Sequence, residues 1–191
     1  MYNIYEIKKL DTVTEYGPFI KEHHYSKSIA RGCSHVYGLY IEGILKGVAM
    51  YGTPVGQRVV SKYGEGTIEL KRLALHPDCF KNTASWFTSK TLKLLKLDNP
   101  EAQRVISYAD MNAGHKGTIY KAMNFTYLGK SKPQQYAWFI GDRKKYHLRA
   151  VYQKSDLGLT KLAEMFKVYK ATGDAGLRYS KPKHIFMYIL R

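Results

Sequence analysis

Hydrophobic and polar positions alternate along much of the chain, and the period of the alternation predicts several strands. Residues 2–10, YNIYEIKKL, alternate as a first strand does. Residues 35–55, HVYGLYIEGILKGVAMYGTPV, predict two antiparallel strands joined by a turn at Glu42–Gly43. Residues 67–77, TIELKRLALHP, predict a strand that ends at Pro77, and later strands are predicted in RVISYAD, FTYLGKS and QYAWFIGD.

Between these strands the period lengthens to that of a helix. Thr14–His24 predicts a helix in which Pro18 is tolerated only in the first turn. Residues 82–97, NTASWFTSKTLKLLKL, predict a helix capped by Asn82 or Thr83, and GTIYKAMN predicts a shorter one. The apolar face of the longer helix is assigned to Trp86, Phe87, Leu92, Leu95 and Leu97.

The last part of the chain has a different character. Residues 158–173, GLTKLAEMFKVYKATG, predict a basic amphipathic helix, and LRYSKPKHIFMYIL predicts a closing hairpin around Lys181–Lys183. One side of that helix is predicted to carry Leu159, Leu162, Phe166 and Tyr169. We therefore divide the chain into a core domain, residues 1–153, and a basic extension, residues 154–191, that packs on it.

Charge points to a polyanionic partner. Lysine and arginine number 31 against 15 acids, a formal net charge of +16 in 191 residues. Such an excess repels itself in the compact state, so we expect a polyanionic partner, and a nucleic acid is favoured over the alternative of a basic but otherwise ordinary soluble protein. The basic residues are denser after residue 129, at Lys130, Lys132, Arg143, Lys144, Lys145, Arg149, Lys154, Lys161, Lys167, Lys170, Arg178, Lys181 and Lys183.

The two cysteines, Cys33 and Cys79, have no zinc spacing. With no secretory signal and no long apolar run, we expect a cytoplasmic protein that makes no membrane contact.

Three polar stretches are candidate sites, and each has an ordinary alternative. HHYS contains His23 and His24, which suit either a base or a helix C-terminus. In ELKRLAL, Arg72 suits a phosphate, but spacing favours an ion pair with Glu69 or a solvated sheet face. In KNTAS the side chains suit phosphate binding or simple capping.

The fourth stretch, VISYADMNAGHKGTIYKAMNF, changes from a strand to a helix through polar residues and glycines. Asp110 ends the strand, where open α/β sheets place their sites, so it is a candidate general base. Gly114 and Gly117 permit a close approach of the backbone. The alternative is that Asp110 caps the loop and His115 caps the next helix.

These stretches together resemble the Mom family of phage DNA adenine-modification proteins, within the GNAT acyltransferase superfamily. The resembling pieces are HHYS, GVAMYGTP (Gly47–Pro54), ELKRLAL (Glu69–Leu75), NTASWF (Asn82–Phe87), SYAD (Ser107–Asp110) and GHKGTIYKAMNF (Gly114–Phe125). The resemblance implies an α/β (α+β) fold with a central mixed, mainly antiparallel twisted sheet flanked by helices. It also implies transfer of a small acyl or glycinamide-like group to the exocyclic amine of adenine in phage DNA, which blocks restriction in the host cytoplasm.

The resemblance also implies site residues. The catalytic residues would be Asp110, His24, Tyr25 and Ser85. The residues that bind the donor would be Arg72, Leu73, Leu75, Lys81, Asn82, His115 and Tyr120. Tyr25 or Tyr108 would stack on the flipped base, and the basic surface would hold double-stranded DNA.

One departure from the GNAT pattern leaves the donor open. The usual Q/R-x-x-G-x-G/A loop is replaced by HPDCFKNTAS, which has no glycine, so the backbone approaches a pyrophosphate less closely. Acetyl-CoA and an aminoacyl donor both remain open, and so does a metal ion such as iron held by His24, Tyr25 and Asp110. Two other function classes also remain: a GNAT acetyltransferase acting on a protein or small molecule, and a non-catalytic DNA-binding protein.

Overall fold

The computed structural model describes residues 5–142, 145–155 and 158–191. The strands are β1 Tyr5–Lys9, β2 Cys33–Ile41, β3 Ile44–Gly52, β4 Thr67–Leu75, β5 Arg104–Asp110, β6 Thr126–Lys130, β7 Gln135–Phe139, β8 Tyr146–His147, β9 Lys154–Ser155, β10 Gly158–Leu159, β11 Ala175–Tyr179 and β12 Lys183–Ile189. The helices are α1 Val13–His23, α2 Gln57–Tyr63, α3 Thr83–Asp98, α4 Thr118–Ala122, α5 Leu148–Val151 and α6 Lys161–Ala171, with a short 3-10 helix at Met111–Ala113.

The main sheet has seven strands in the order β1-β2-β3-β4-β5-β12-β6. Strands β1 to β4 are antiparallel neighbours, and β4 pairs with β5 in parallel. This mixed, mainly antiparallel sheet confirms the predicted fold class.

Each face of the main sheet packs on a helix, because successive strand residues point to opposite faces. Tyr37 and Tyr51 face a buried cluster that includes Phe87 of α3. Val36 and Met50 belong to the opposite cluster, which contains Phe19 and Ile20 of α1. The sheet is therefore covered by α3 on one face and by α1 on the other.

The chain forms two compact units. The first comprises residues 1–109, 115–129 and 184–191, and the second comprises residues 110–114 and 130–183. The second unit contains the antiparallel sheet β11-β7-β8, whose buried side chains Ala137 and Phe139 pack with Phe166 of α6. These boundaries differ from the sequence division at residue 154.

The second unit concentrates the basic charge. It contains thirteen lysines and arginines against five acids, a net +8, which is half of the +16 of the whole chain in 59 of its 191 residues. Arg143 and Lys144, and the side chains of Arg149 and Lys154, lie outside the described residues, as do residues 2–4 of the first predicted strand.

Several predictions about elements are wrong. Pro18 lies in the second turn of α1, where it has no N–H to donate to the Thr14 carbonyl. Helix α2 was not predicted. The closing hairpin is wrong because β11 pairs with β7, whereas β12 lies between β5 and β6.

Two predicted apolar faces are narrower than expected. Trp86 and Leu97 of α3 are 39% and 75% exposed, whereas Phe87, Leu92 and Leu95 are buried. In α6, Tyr169 is 41% exposed and Phe166 is buried.

Candidate active site

The main sheet opens between β4 and β5. Their parallel pairing runs from Thr67–Arg104 to Leu70–Ser107, and the Ser107 hydroxyl donates to the Leu70 carbonyl at 3.5 Å. Beyond this pair β4 continues to Leu75, now paired only with β3. Sites of open α/β sheets lie at such carboxyl ends.

A histidine and a tyrosine that follow α1 lie near His115. His24 is the C-cap of α1, its side chain is buried, and its ring lies 4.4 Å from that of Tyr25. The Tyr25 ring, which is 48% exposed, meets the ring of His115 edge-on at 4.8 Å. The structure thus brings three predicted site residues together, since His115 lies near His24 and Tyr25, which precede it by 91 and 90 positions in the chain.

Arg72 supports the loop that carries His24. Its Nε donates to the Ser28 carbonyl at 3.0 Å, and Nη2 lies 3.3 Å from the Ser28 hydroxyl oxygen. Its Nη1 donates to the Lys71 carbonyl at 2.7 Å. Glu69 instead accepts from the backbone N–H of Val55 at 3.1 Å, so the predicted Glu69–Arg72 ion pair is wrong.

Burial, together with the neighbouring charges of Arg72 and His115, lowers the pKa of His24 to about 4. The ring is therefore neutral at neutral pH. Its Nδ1 accepts from the backbone N–H of Ser26 at 3.1 Å, so the hydrogen of the neutral ring lies on Nε2. His24 consequently presents a hydrogen-bond donor from Nε2.

A cavity of about 420 Å³ lies beside the start of α3. Asn82 is the N-cap of α3 in the left-handed conformation, with φ of 70°, and the Ser85 hydroxyl donates to the Asn82 carbonyl at 3.0 Å. Asn82, Ser85, Trp86 and Tyr188 are among the residues that line the cavity. Asn82 thus adopts the backbone conformation that a glycine supplies elsewhere.

The other predicted donor-binding residues occupy varied environments. Lys81 is an exposed turn residue before α3, whereas Leu73 and Leu75 pack against the main core cluster. Tyr120 packs between Phe125 and Phe186, at ring distances of 5.3 and 5.2 Å. Burial raises the pKa of Tyr120, and a hydrogen bond with Ser107 partly offsets this rise.

Asp110 belongs to the second unit. Its Oδ1 accepts from the backbone N–H of Asn112 at 2.8 Å and from the Asn112 amide at 3.0 Å, which caps the 3-10 helix. The expected loop-capping role of Asp110 is thus present. The other half of that alternative, a helix cap at His115, is wrong, because Gly117 is the N-cap of α4.

Tyr108 is one of the two predicted stacking residues. Burial, together with the neighbouring Glu69 and Tyr63, raises its pKa to about 12.

Sequence reasoning did not single out Ser26, Ser28 and Ser107, which hold His24, Arg72 and Tyr120. The motif HHYSKS contains the first two, but a serine in a polar loop carries no distinguishing signal.

Among the described residues, no three histidine, cysteine, aspartate or glutamate side chains converge to form a metal site. The metal held by His24, Tyr25 and Asp110 stays a prediction, and no step below is routed through it. Within the same residues, no helix is both long and apolar enough to cross a membrane.

Solved acetyltransferases share this fold. The ribosomal-protein-S18-alanine N-acetyltransferase from Escherichia coli matches with a TM-score of 0.53 and 10% identity, covering 98% of this chain and 94% of that one. A Bacillus subtilis acetyltransferase in complex with CoA matches with a TM-score of 0.50 and 10% identity, covering 100% of both chains. The fold is therefore that of the GNAT-like acyltransferases.

Within that class the family is defined by sequence. The model of the Mom protein family matches residues 5–191, and the chain belongs to this family. Methylcarbamoylase mom of Escherichia phage Mu is 32% identical over 122 residues, which cover 61% of this chain and 51% of that protein. The chain thus matches about half the length of that relative.

Proposed function

We propose that this protein is a transferase that modifies phage DNA and protects it from restriction. It attaches a small acyl or carbamoylmethyl-type, glycinamide-like group to the exocyclic N6 amine of adenine. The observation that carries the proposal is the Mom family match over residues 5–191. The name of the phage Mu relative, methylcarbamoylase, supports a small carbonyl-containing group.

The reaction needs an activated donor and a base. The lone pair of adenine N6 is delocalised into the ring, so the base leaves the stack before it reacts. N6 then forms a bond to the electrophilic carbon of the donor. The bond from that carbon to the leaving atom breaks, and the leaving atom keeps the electron pair. The proton lost from N6 passes to a base, a role that we assign to Asp110.

We assign to His24 the role of donating a hydrogen bond to the oxygen of the transferred group. Its neutral ring donates from Nε2, because Nδ1 accepts from Ser26. A donor aimed at an oxygen on which negative charge develops stabilises the transition state. Tyr25 and His115 form one wall of the same cluster.

We assign the cavity at α3 as the binding site for the donor of the transferred group. An acyl-CoA fits the fold class, since the Bacillus subtilis acetyltransferase was solved with CoA. Trp86 lines the cavity, so CoA or acetyl-CoA that binds there should change the fluorescence of this side chain. Trp86→Phe should remove that change, because the other tryptophan, Trp138, is not among the residues that line the cavity. A signal that persists in this variant would place the donor elsewhere.

The decisive experiment is mass analysis of nucleosides from DNA of cells that express the protein. A new adenosine adduct is the expected result. Acetyl-CoA turnover on a protein or small molecule without an adduct would instead favour an N-acetyltransferase. DNA binding with neither activity would favour a non-catalytic DNA-binding protein.

A further inference from the structure

The second unit has a polar cavity of its own, of about 260 Å³. Pockets that take drug-sized ligands have volumes of about 300–1,000 Å³, so this cavity suits a smaller group such as a single nucleobase. Its walls combine Asp110, Asn112, Gln134, Tyr136, Lys145 and Lys183 with a few further polar residues. A carboxylate, side-chain amides, an aromatic ring and two ammonium groups therefore line one small cavity.

The carboxylate of Asp110 is held in a fixed orientation. The Asn112 amide donates to Oδ1 of Asp110 at 3.0 Å, and the oxygen of the same amide accepts from the Lys181 backbone N–H at 3.2 Å. These bonds engage Oδ1 only, so Oδ2 has no hydrogen-bond partner within the described part of the chain. An unpaired carboxylate oxygen at a cavity wall is an acceptor for an exocyclic amine.

Gln134 adds a second recognition group. Its backbone is fixed, since its carbonyl accepts from Ser180 N–H at 2.9 Å and its own N–H donates to the Ser180 hydroxyl at 3.1 Å. Its side-chain amide makes no hydrogen bond within the described residues. A free primary amide can pair with N6 and N7 of adenine through one donor and one acceptor.

Tyr136 and Lys145 supply the remaining contacts that a nucleotide needs. The Lys145 ammonium lies 5.1 Å from the centre of the Tyr136 ring, and the lysine side chain is exposed. A base that replaces the ammonium would stack on the ring and release Lys145 to a phosphate.

We propose that this cavity holds a nucleotide turned out of the DNA helix and selects adenine. Asp110 and Gln134 read the amine edge, Tyr136 stacks on the base, and Lys145 and Lys183 contact the neighbouring phosphates. This assignment rests on the proposed function, because it places the acceptor base against the residue assigned as its general base. To Asp110, which the SYAD motif already singles out, it adds Gln134 and Tyr136, which no sequence motif singles out.

The test measures the affinity of the full chain for short duplexes that differ at one unpaired base. The parent should bind a duplex with an unpaired adenine about tenfold more tightly than one with an unpaired thymine, which has no exocyclic amine. Gln134→Ala should abolish most of that preference. Tyr136→Ala should weaken binding of both duplexes by about tenfold and leave a fully paired duplex unaffected.

Two matched substitutions in the same unit control for general effects. Gln153 and Tyr152 are exposed and lie outside the cavity wall, so Gln153→Ala and Tyr152→Ala should retain the preference of the parent. Because Gln134 lies on an exposed loop, Gln134→Ala tests the proposal even if Tyr136→Ala fails to fold. Equal parent affinities for the two duplexes, or an unchanged preference in Gln134→Ala, would overturn the proposed pocket.

Different outcomes would reject the proposed pocket and the proposed function. An adenosine adduct made at the parent rate by Gln134→Ala and Tyr136→Ala rejects the pocket but keeps the function. An adenine preference that these variants lose, without any adduct in cellular DNA, keeps the pocket and rejects the function.

Discussion

The backbone N–H of Ser26 donates a 3.1 Å hydrogen bond to Nδ1 of His24, two residues earlier in the chain. This bond requires a lone pair on Nδ1, so it is lost when the imidazole takes up a proton. Burial, Arg72 and His115 oppose the same protonation, and together they set the pKa of the ring at about 4. The neutral state of His24 is thus part of the folded structure.

Stability should therefore depend on pH through His24. In the unfolded chain the ring takes up a proton near its ordinary pKa of 6.5, whereas in the folded chain it does so only near 4. The contribution of neutral His24 to the free energy of unfolding is therefore complete above about pH 6.5, and it is lost as the pH falls towards 4. Urea unfolding at pH 7.5 and 4.5 should show that the parent loses on the order of 1–3 kcal/mol more than His24→Gln. Parallel losses in both proteins would contradict the assignment.

Arg72→Gln should raise the pKa of His24 towards its ordinary value, because a neighbouring positive charge is removed. The substitution also removes the bonds to Ser28 and should cost about 1–3 kcal/mol of unfolding free energy. NMR titration of the imidazole measures the first effect. Lys81→Gln removes an exposed charge from the same unit and should leave the titration unchanged.

Substitution of two glycines distinguishes the cost of backbone strain from the cost of a steric clash in the core. Gly117 has φ of +72°, and a Cβ there would clash with the Phe186 ring, whereas Gly114 has φ of +76° with no atom near its Cβ position. Gly114→Ala should cost about 1–2 kcal/mol from the left-handed backbone alone. Gly117→Ala should cost about 1–3 kcal/mol more, because Phe186 is fully buried and cannot move away. Urea unfolding measures the free energy of unfolding of both variants. Equal losses would show that the core around Phe186 rearranges to accept the added methyl group.

The sequence predicts those parts of the molecule that depend on local patterns. Alternation identifies β2 and β3, and the cap at Asn82 marks the start of α3. The position of β12 between β5 and β6 depends on pairing between distant segments, so the tail looks like a hairpin when its residues are considered alone. The Arg72–Ser28 contact spans 44 residues and leaves no trace in spacing. The HHYS and ELKRLAL stretches were recognised, but not the contact of Arg72 with Ser28, which follows HHYS by two residues.

Binding to duplex DNA should be strongly salt-dependent, since phosphate contacts release counterions. The logarithm of affinity should fall linearly with the logarithm of salt concentration, and Lys181→Glu with Lys183→Glu should weaken binding and flatten the slope. Lys90→Glu with Lys93→Glu makes the same charge change on exposed residues of α3, outside the basic second unit, and should have a smaller effect. A flat salt dependence of the parent would contradict phosphate binding.

Asp110→Asn should separate chemistry from capping. Asparagine at this position keeps an oxygen that can accept from the Asn112 N–H, so the 3-10 helix should remain capped and the protein should fold. The substitution removes the charge and basicity of Oδ2, and loss of a general base lowers rates by about 10²–10⁴. The variant should therefore bind DNA and leave adenine essentially unmodified in the nucleoside mass assay.

Asn112→Ala is the informative companion, because it retains the carboxylate but removes the amide that orients it. We expect an intermediate rate for that variant. Modification by Asp110→Asn at the parent rate would show that Asp110 is only a cap.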